Sequence, residues 1–220
     1  MTRDLEFGRK APRSGKAKSL VVFLHGYGAD GADLLGLAEP LGPHLPDTVF
    51  VAPNAPERSL GNPFGYQWFP IPRLDGSPEE VARASFEAAV ADLDAFLDAR
   101  LAEEGLPASA LALVGFSQGT MMSLHVAPRR KAQMAGVVGF SGRLLQPERL
   151  AAETISRPPV LLIHGDRDEM VPYEDMSRAA DALTHAEFEV YTHTSRGVGH
   201  GIAPDGLSVA MQFLRNVLPV

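Results

Sequence analysis

Short apolar runs alternate along the chain with longer segments in which apolar positions recur every three or four residues. The short runs are rich in β-branched residues, and the middle ones are apolar on both faces, which is typical of strands covered by helices on each side. Six strands are predicted, at 20–24, 48–51, 111–114, 136–140, 160–163 and 188–192. The periodic segments predict helices at 30–41, 78–104, 118–127, 173–183 and 206–218. This alternation predicts one α/β domain over residues 1–220, with a mostly parallel sheet and helices on both faces.

The longest predicted helix has a clear start and a clear end. Ser77 is the expected N-cap, Pro78 the first helical residue, and Glu80 lies three residues after Ser77. That pattern is a capping box, with proline where its missing N–H costs nothing. Gly105 is expected to end the helix.

Residues 53–78 interrupt the alternation with a proline- and glycine-rich segment that holds the single tryptophan, Trp68. A disordered linker is the simplest interpretation of such a composition. The segment is too apolar for a solvated tether, however, since it contains Phe64, Tyr66, Phe69 and Ile71. We therefore expect an ordered irregular loop near the sheet edge, and ordered loops of this length are usually functional.

Charge and cysteine content exclude several classes of protein. Asp and Glu number 27 against 20 Lys and Arg, a net charge of −7, which argues against a nucleic-acid-binding protein. The absence of cysteine excludes a disulfide scaffold, a thiolate metal site and a cysteine nucleophile. Neither a secretory signal nor a membrane-spanning run is apparent, so we expect a cytoplasmic protein without stable membrane insertion.

The segment Gly115-Phe116-Ser117-Gln118-Gly119 carries the sharpest chemical signal. It follows a predicted strand and precedes a predicted helix, as a nucleophile elbow requires. The turn is so tight that the residues two before and two after the serine must lack side chains, which Gly115 and Gly119 satisfy. A structural helix-capping serine is the alternative. The context favours Ser117 as a nucleophile.

A serine nucleophile needs a base to take its proton, and on this kind of fold the base follows the acid along the chain. His200 lies in the glycine-rich segment 197–201 before the final helix, where it is free to reach Ser117. His193 is a weaker candidate. The remaining histidines after Ser117 are better explained by packing or by a polar helix end, and they are His125, His164 and His185. No histidine pair has metal-ligand spacing, so no metal or other cofactor is expected.

The acid of such a triad is expected just after the fifth predicted strand, in the segment 164–172. Asp166, Asp168 and Glu169 all qualify by chemistry. Asp166 is also a natural turn former beside Gly165. The residue types therefore leave the identity of the acid open.

The chain resembles the phospholipase/carboxylesterase family of α/β-hydrolases, which includes bacterial carboxylesterases and acyl-protein thioesterases. The matching segments, in the same order as in the family, are 23–30, 52–56, 67–69, 115–119, 140–142, 164–168 with 171–172, and 199–200. The resemblance implies an α/β-hydrolase fold without a separate lid domain. It also implies a triad of Ser117, Asp168 and His200, and an oxyanion hole formed by the backbone N–H groups of Tyr27 and Gln118.

Two residues depart from the family pattern. Thr120 replaces a second glycine that many relatives carry after the elbow, and Pro70 follows Trp68-Phe69 where many carry aspartate. The second departure lies in the loop that is expected to line an acyl pocket. The substrate is therefore the property least constrained by the resemblance.

Taken together, these features predict a metal-independent serine esterase that acts on small-molecule carboxylic esters of short to medium acyl chains. An acyl thioesterase or a lysophospholipase with the same triad is the alternative, and a non-catalytic binding protein on this fold is the alternative from another class. Pairing of an exposed sheet edge makes a homodimer possible. The residues expected to form the apolar wall for the substrate are Phe64, Trp68, Phe69, Leu144, Leu145, Met170 and Val171.

Overall fold

A seven-stranded sheet forms the centre of the fold. The computed structural model describes residues 2–219. In chain order the strands are β1 (Phe7–Lys10), β2 (Ser19–Leu24), β3 (Thr48–Pro53), β4 (Glu57–Arg58), β5 (Tyr66–Gln67), β6 (Leu111–Phe116), β7 (Gly136–Phe140), β8 (Val160–Gly165) and β9 (Val190–Ser195). The main sheet has the order β1-β3-β2-β6-β7-β8-β9, while β4 and β5 pair separately.

All neighbouring strands of the main sheet are parallel except β1, which pairs antiparallel with β3. Strand β1 was not predicted, because its residues are mostly exposed and two of them are basic. The last strand starts at Val190 rather than at Phe188. The backbone N–H of Phe188 donates to the Leu183 carbonyl, so this buried ring packs at a helix end instead of starting the strand.

Helices cover both faces of the sheet. They are α1 (Gly31–Leu35), α2 (Ala38–Leu41), α3 (Pro72–Asp75), α4 (Glu79–Glu104), α5 (Gln118–Val126), α6 (Pro147–Glu153), α7 (Glu174–His185) and α8 (Pro204–Val217). One core cluster joins α4, α5, α6 and α7 to the sheet, and the other joins α1, α2 and α8 to the opposite face. The predicted α/β-hydrolase fold, with one domain and a mostly parallel sheet, is confirmed.

The predicted capping box at the start of α4 is wrong. The helix begins at Glu79, and Pro78 is its N-cap without a side-chain hydrogen bond. Asp75 Oδ1 accepts the backbone N–H of Ser77 at 3.0 Å, so that N–H is not free for Glu80. The C-terminal prediction is confirmed, because Gly105 adopts a left-handed conformation, with φ of 65°, and ends the helix.

Residues 53–78 cross the carboxyl edge of the sheet in an irregular path with local structure. Strands β4 and β5 pair antiparallel, with Glu57 opposite Gln67, and α3 follows as one short helical turn. The Tyr66 carbonyl accepts the backbone N–H of Gly28, which joins this segment to the loop after β2.

The sheet ends at strand β1 on one side and at β9 on the other. The homodimer suggested by such edges stays a prediction. Within residues 2–219, no helix combines the length and the apolar character needed to cross a membrane.

His125, on α5, makes folding stability sensitive to acid. Its ring is buried and packs edge-on against Phe86, with the ring centroids 4.7 Å apart. Burial, with a smaller contribution from the positive charge of Arg129, lowers the pKa of His125 to about 4. The folded state therefore excludes a proton that the unfolded chain takes up below pH ~6.5, and stability falls as the pH drops from there towards 4.

Replacing this histidine should reduce that sensitivity. In urea unfolding between pH 7 and 4.5, His125→Leu should lose less unfolding free energy than wild type, by at most about 1.4 kcal/mol per pH unit. His185→Gln, which changes an exposed histidine, is the matched control and should follow wild type. An unchanged acid dependence in His125→Leu would contradict this assignment.

Candidate active site

Ser117 lies on a strained turn between β6 and α5. Its φ of 54° and ψ of −113° are rare for a residue with a side chain. A Cβ atom at Gly115 would lie 2.5 Å from Gly119 backbone atoms, and one at Gly119 would lie 1.8 Å from the Leu24 carbonyl oxygen. Glycine is therefore required at both sites. The turn leaves Ser117 half-exposed at the carboxyl edge of the sheet.

Three side chains from different loops meet at this edge in a hydrogen-bonded row. His200 Nε2 lies 3.0 Å from Ser117 Oγ, and His200 Nδ1 lies 2.8 Å from Asp168 Oδ2. Since a carboxylate only accepts, Nδ1 carries the imidazole proton and Nε2 is free to accept the serine proton. The three residues implied by the family resemblance are thus brought together.

Asp168 is held as a carboxylate. Its side chain has no solvent exposure, and Oδ1 accepts the backbone N–H groups of Met170 and Val171, each at 2.9 Å. Burial acts to raise the pKa of Asp168. The hydrogen bonds from His200, Val171 and Met170 outweigh burial and hold the pKa below its usual value.

His164, for which the sequence predicts only a packing role, is a neighbour of this row. Its Nε2 lies 3.0 Å from the Val171 carbonyl oxygen and 3.2 Å from Asp168 Oδ2. Both neighbours only accept, so Nε2 carries a proton, which it donates to the Val171 carbonyl close to the Asp168 carboxylate. The signal available in the sequence was the spacing of His164, which ends a strand four residues before Asp168.

Asp166, one of the other acids considered, has a different place in the structure. Its Oδ1 accepts the backbone N–H of Gly197 at 2.6 Å. The N–H of Arg167 also donates to the Val198 carbonyl, at 2.9 Å. Asp166 therefore fastens the loop that carries His200 and does not itself contact the imidazole.

The remaining candidates lie outside the row. His193 Nε2 pairs with Asp205 Oδ2 at 2.8 Å, in an exposed contact between β9 and the start of α8. Glu169 is exposed and makes no recorded ion pair among residues 2–219. Asp168 and His200 are the members of the two candidate sets that lie in line with Ser117.

The family resemblance implies oxyanion donors at Tyr27 and Gln118; the second directly follows Ser117, and the first follows Gly26, where a Cβ atom would lie 3.3 Å from Ser117 Cβ. Tyr27 follows the His25-Gly26 turn after β2, and Gln118 is the first residue of α5. No hydrogen bond within residues 2–219 uses either N–H as a donor. Both remain free to face a substrate oxygen.

A cavity of about 760 Å³ is lined in part by residues 69–72. Phe69, Ile71, Phe86 and Leu145 form much of its apolar wall, with Glu79, Glu80 and Arg83 also lining it. Neither Ser117 nor His200 lines it. The Phe69 carbonyl nevertheless accepts a hydrogen bond from the Gln118 side chain at 2.7 Å, which places the wall next to the nucleophile turn.

Of the seven residues predicted for the substrate wall, two line this cavity, Phe69 and Leu145. Trp68 and Val171 do not line it and are buried in the protein, with exposures of 0% and 3%. The other three do not line it either: Phe64 is 86% exposed, Met170 is about half-exposed, and Leu144 packs against the core. An apolar residue in this region thus packs inward as readily as it faces a substrate.

A smaller cavity of about 280 Å³ lies near His200. Leu34, Leu37, Phe116 and Ile202 line it together with Asp33, and the Phe116 ring centroid is 4.9 Å from that of His200.

Known proteins similar to this chain share its length and fold. A family model described as phospholipase/carboxylesterase matches residues 11–218. Acyl-protein thioesterase 1 of Neurospora crassa is 28% identical over 94% of this chain and 90% of its own. Esterase YpfH of Escherichia coli is 28% identical over 92% of this chain and 84% of its own.

The solved structure of esterase PE8 is 46% identical to this chain. It superposes with a TM-score of 0.92 and covers 98% of this chain and 100% of its own. The family model matches nearly every residue, and the fold agrees with that of esterase PE8. The chain therefore belongs to the phospholipase/carboxylesterase family of α/β-hydrolases.

Proposed function

We propose that this protein is a serine esterase that cleaves small-molecule carboxylic esters through an acyl-enzyme. The observation that carries the proposal is the row from Asp168 through His200 to Ser117, with distances of 2.8 and 3.0 Å. Such a row supplies a nucleophile, a base and an acid that orients the base.

The proposed reaction begins when His200 Nε2 accepts the Ser117 proton and Ser117 Oγ attacks the acyl carbonyl carbon. The oxygen of the tetrahedral intermediate accepts hydrogen bonds from the Tyr27 and Gln118 N–H groups. Asp168 stabilises the imidazolium. His200 then protonates the leaving alcohol, and water, activated by the same imidazole, attacks the acyl-enzyme and releases the acid.

The proposed substrate class is supported by the two cavities and by the partial exposure of the site. The apolar space beside Gln118 suits the acyl chain, and the smaller one beside His200 suits the leaving group. Ser117 and His200 are both partly exposed, which favours a site open to soluble substrates. We infer a preference for short to medium acyl chains.

An acyl thioesterase with the same triad is the second candidate, favoured by relatives such as the Neurospora crassa acyl-protein thioesterase. The higher identity to esterase PE8 favours the oxygen ester. We expect kcat/KM to be highest for p-nitrophenyl butyrate, when compared with a palmitoyl thioester and a lysophospholipid in the same buffer. A higher value for the thioester would select the alternative.

Removal of the nucleophile should abolish turnover without loss of the fold. Ser117→Ala is expected to lower kcat by roughly 10⁴–10⁶ while its thermal midpoint stays near that of wild type. A fluorophosphonate probe, followed by intact mass, should label wild type once and the variant not at all. Wild type that is folded but not labelled would instead favour a non-catalytic binding protein.

Substitution of the two aspartates in the loop after β8, Asp166 and Asp168, should have very different effects on kcat. Asp168→Asn is expected to cost about 10⁴ in kcat, because an amide at this place holds the wrong imidazole tautomer. Asp166→Asn keeps a carbonyl oxygen that accepts the Gly197 N–H, so its loss should be far smaller. Steady-state kinetics of both variants on one ester decide the matter, and a reversed order of severity would make Asp166 the acid.

A further inference from the structure

Trp68 joins the two loops that carry the proposed oxyanion donors. Its indole N–H donates to the His25 carbonyl at 3.0 Å, and its backbone N–H donates to Gln118 Oε1 at 2.8 Å. His25 lies two residues before Tyr27, and Gln118 directly follows Ser117. Trp68 has no solvent exposure, so water replaces neither bond.

Both polar atoms of the Gln118 side chain are hydrogen-bonded to the loop 53–78. The side chain is completely buried, accepts from the Trp68 N–H and donates from Nε2 to the Phe69 carbonyl at 2.7 Å. A pair of hydrogen bonds to one stretch of backbone fixes both the position and the rotation of an amide group. The start of α5, with the Gln118 backbone N–H, is thereby fastened to the loop 53–78.

The His25 side is equally fixed. Its Nε2 accepts the Ala55 N–H at 2.9 Å, so Nδ1 carries the proton and donates to the Gly26 carbonyl at 2.7 Å. Burial lowers the pKa of His25 and keeps the ring neutral. The turn that leads to Tyr27 is therefore held by its own imidazole from one side and by the Trp68 indole from the other.

We propose that Trp68 is a positioning residue for the oxyanion hole, which sets the placement of the Tyr27 and Gln118 N–H groups relative to each other. The inference rests on the proposed function, since it assigns a role to those donors. Oxyanion donors act only when they are already aimed at the developing charge, so misplacement should weaken the transition state more than substrate binding.

Trp68→Phe tests the proposal with little change in the core. It keeps an aromatic ring and the backbone bond to Gln118, and it removes only the indole donor to the His25 carbonyl. We expect kcat on p-nitrophenyl butyrate to fall about 10- to 100-fold, less than the ~10²–10³ lost with a whole oxyanion donor, while KM changes less than about threefold.

Gln118→Met tests the hydrogen bonds that connect the start of α5 to residues 68 and 69. It removes both side-chain bonds to residues 68 and 69 and leaves its own backbone N–H in place. The same loss in kcat, with KM little changed, is expected. If Trp68→Phe does not fold, this variant alone decides the proposal.

Leu97→Val is the matched control for packing. Leu97 is fully buried in the same core cluster as Trp68 but lies on α4, away from the loops of the site. Its thermal midpoint should fall while kcat stays at the wild-type value. If Leu97→Val and Trp68→Phe lose kcat in proportion to their loss of stability, Trp68 acts through packing alone and the proposal is overturned.

A trifluoromethyl ketone inhibitor gives a readout that a structural role would not move. Ser117 Oγ adds to its carbonyl carbon, the proton passes to His200, and the former carbonyl oxygen becomes an oxyanion bound by the same two N–H groups. In Trp68→Phe the inhibition constant should rise in parallel with the loss in kcat. Wild-type kcat and wild-type ketone affinity in folded Trp68→Phe and Gln118→Met would overturn the proposal.

The failure of this inference is distinguishable from the failure of the proposed function. If Ser117→Ala kept wild-type activity, Ser117 would not be the nucleophile. The proposed oxyanion hole and the role of Trp68 would then be overturned together. An inactive Ser117→Ala enzyme, combined with fully active Trp68→Phe, would leave the proposed function intact and overturn only the role of Trp68.

Discussion

The contact between helix α5 and the end of strand β2 is the constraint on which the rest of the site depends. Gly119 lies so close to the Leu24 carbonyl that no side chain fits between them. This approach brings the start of α5, and with it the strained turn at Ser117 with its positive φ, beside the loop after β2. The nucleophile turn can lie against that loop because Gly119 has no Cβ.

A glycine also allows the loop after β8, which carries Asp168, to lie close to the loop after β9, which carries His200. A Cβ atom at Gly165 would lie 2.2 Å from the Val198 carbonyl oxygen, so the ends of β8 and β9 meet only with glycine there. The His200–Asp168 hydrogen bond then forms between loops whose separation is already fixed. Little conformational entropy is left to be lost when substrate binds, as effective orientation of reacting groups requires.

The amino-acid sequence predicted those elements whose signal is local. Apolar or β-branched runs identify six of the seven strands in the main sheet, and the glycines around Ser117 identify the elbow. Strand β1 escaped because an edge strand with basic residues has no apolar run to distinguish it. The acid was not decided by local chemistry, since the contact that separates Asp168 from Asp166 is made with the distant 197–200 loop: Asp168 contacts His200, whereas Asp166 accepts the Gly197 N–H.

Trp68 and Ser77 illustrate a second kind of limit. An indole beside a pocket and an indole in the core have the same residue type, and what separates them here is two hydrogen bonds to residues 43 and 50 positions away. The capping box at Ser77 fits the sequence rule, but Asp75 takes the N–H that the rule assigns to Glu80. In both cases a competing polar partner decides the outcome.

The backbone hydrogen bonds between the loop that carries Asp168 and the loop that carries His200 determine which residues at the rim of the site can vary. The Arg167 N–H donates to the Val198 carbonyl and the Asp166 N–H to the Ser195 carbonyl, at 2.9 and 3.3 Å. Such bonds are indifferent to side-chain identity, and Arg167 and Arg196 project into solvent. The rim of the site can therefore change its charge, and with it the substrates that it attracts, while the reacting groups beneath keep their geometry.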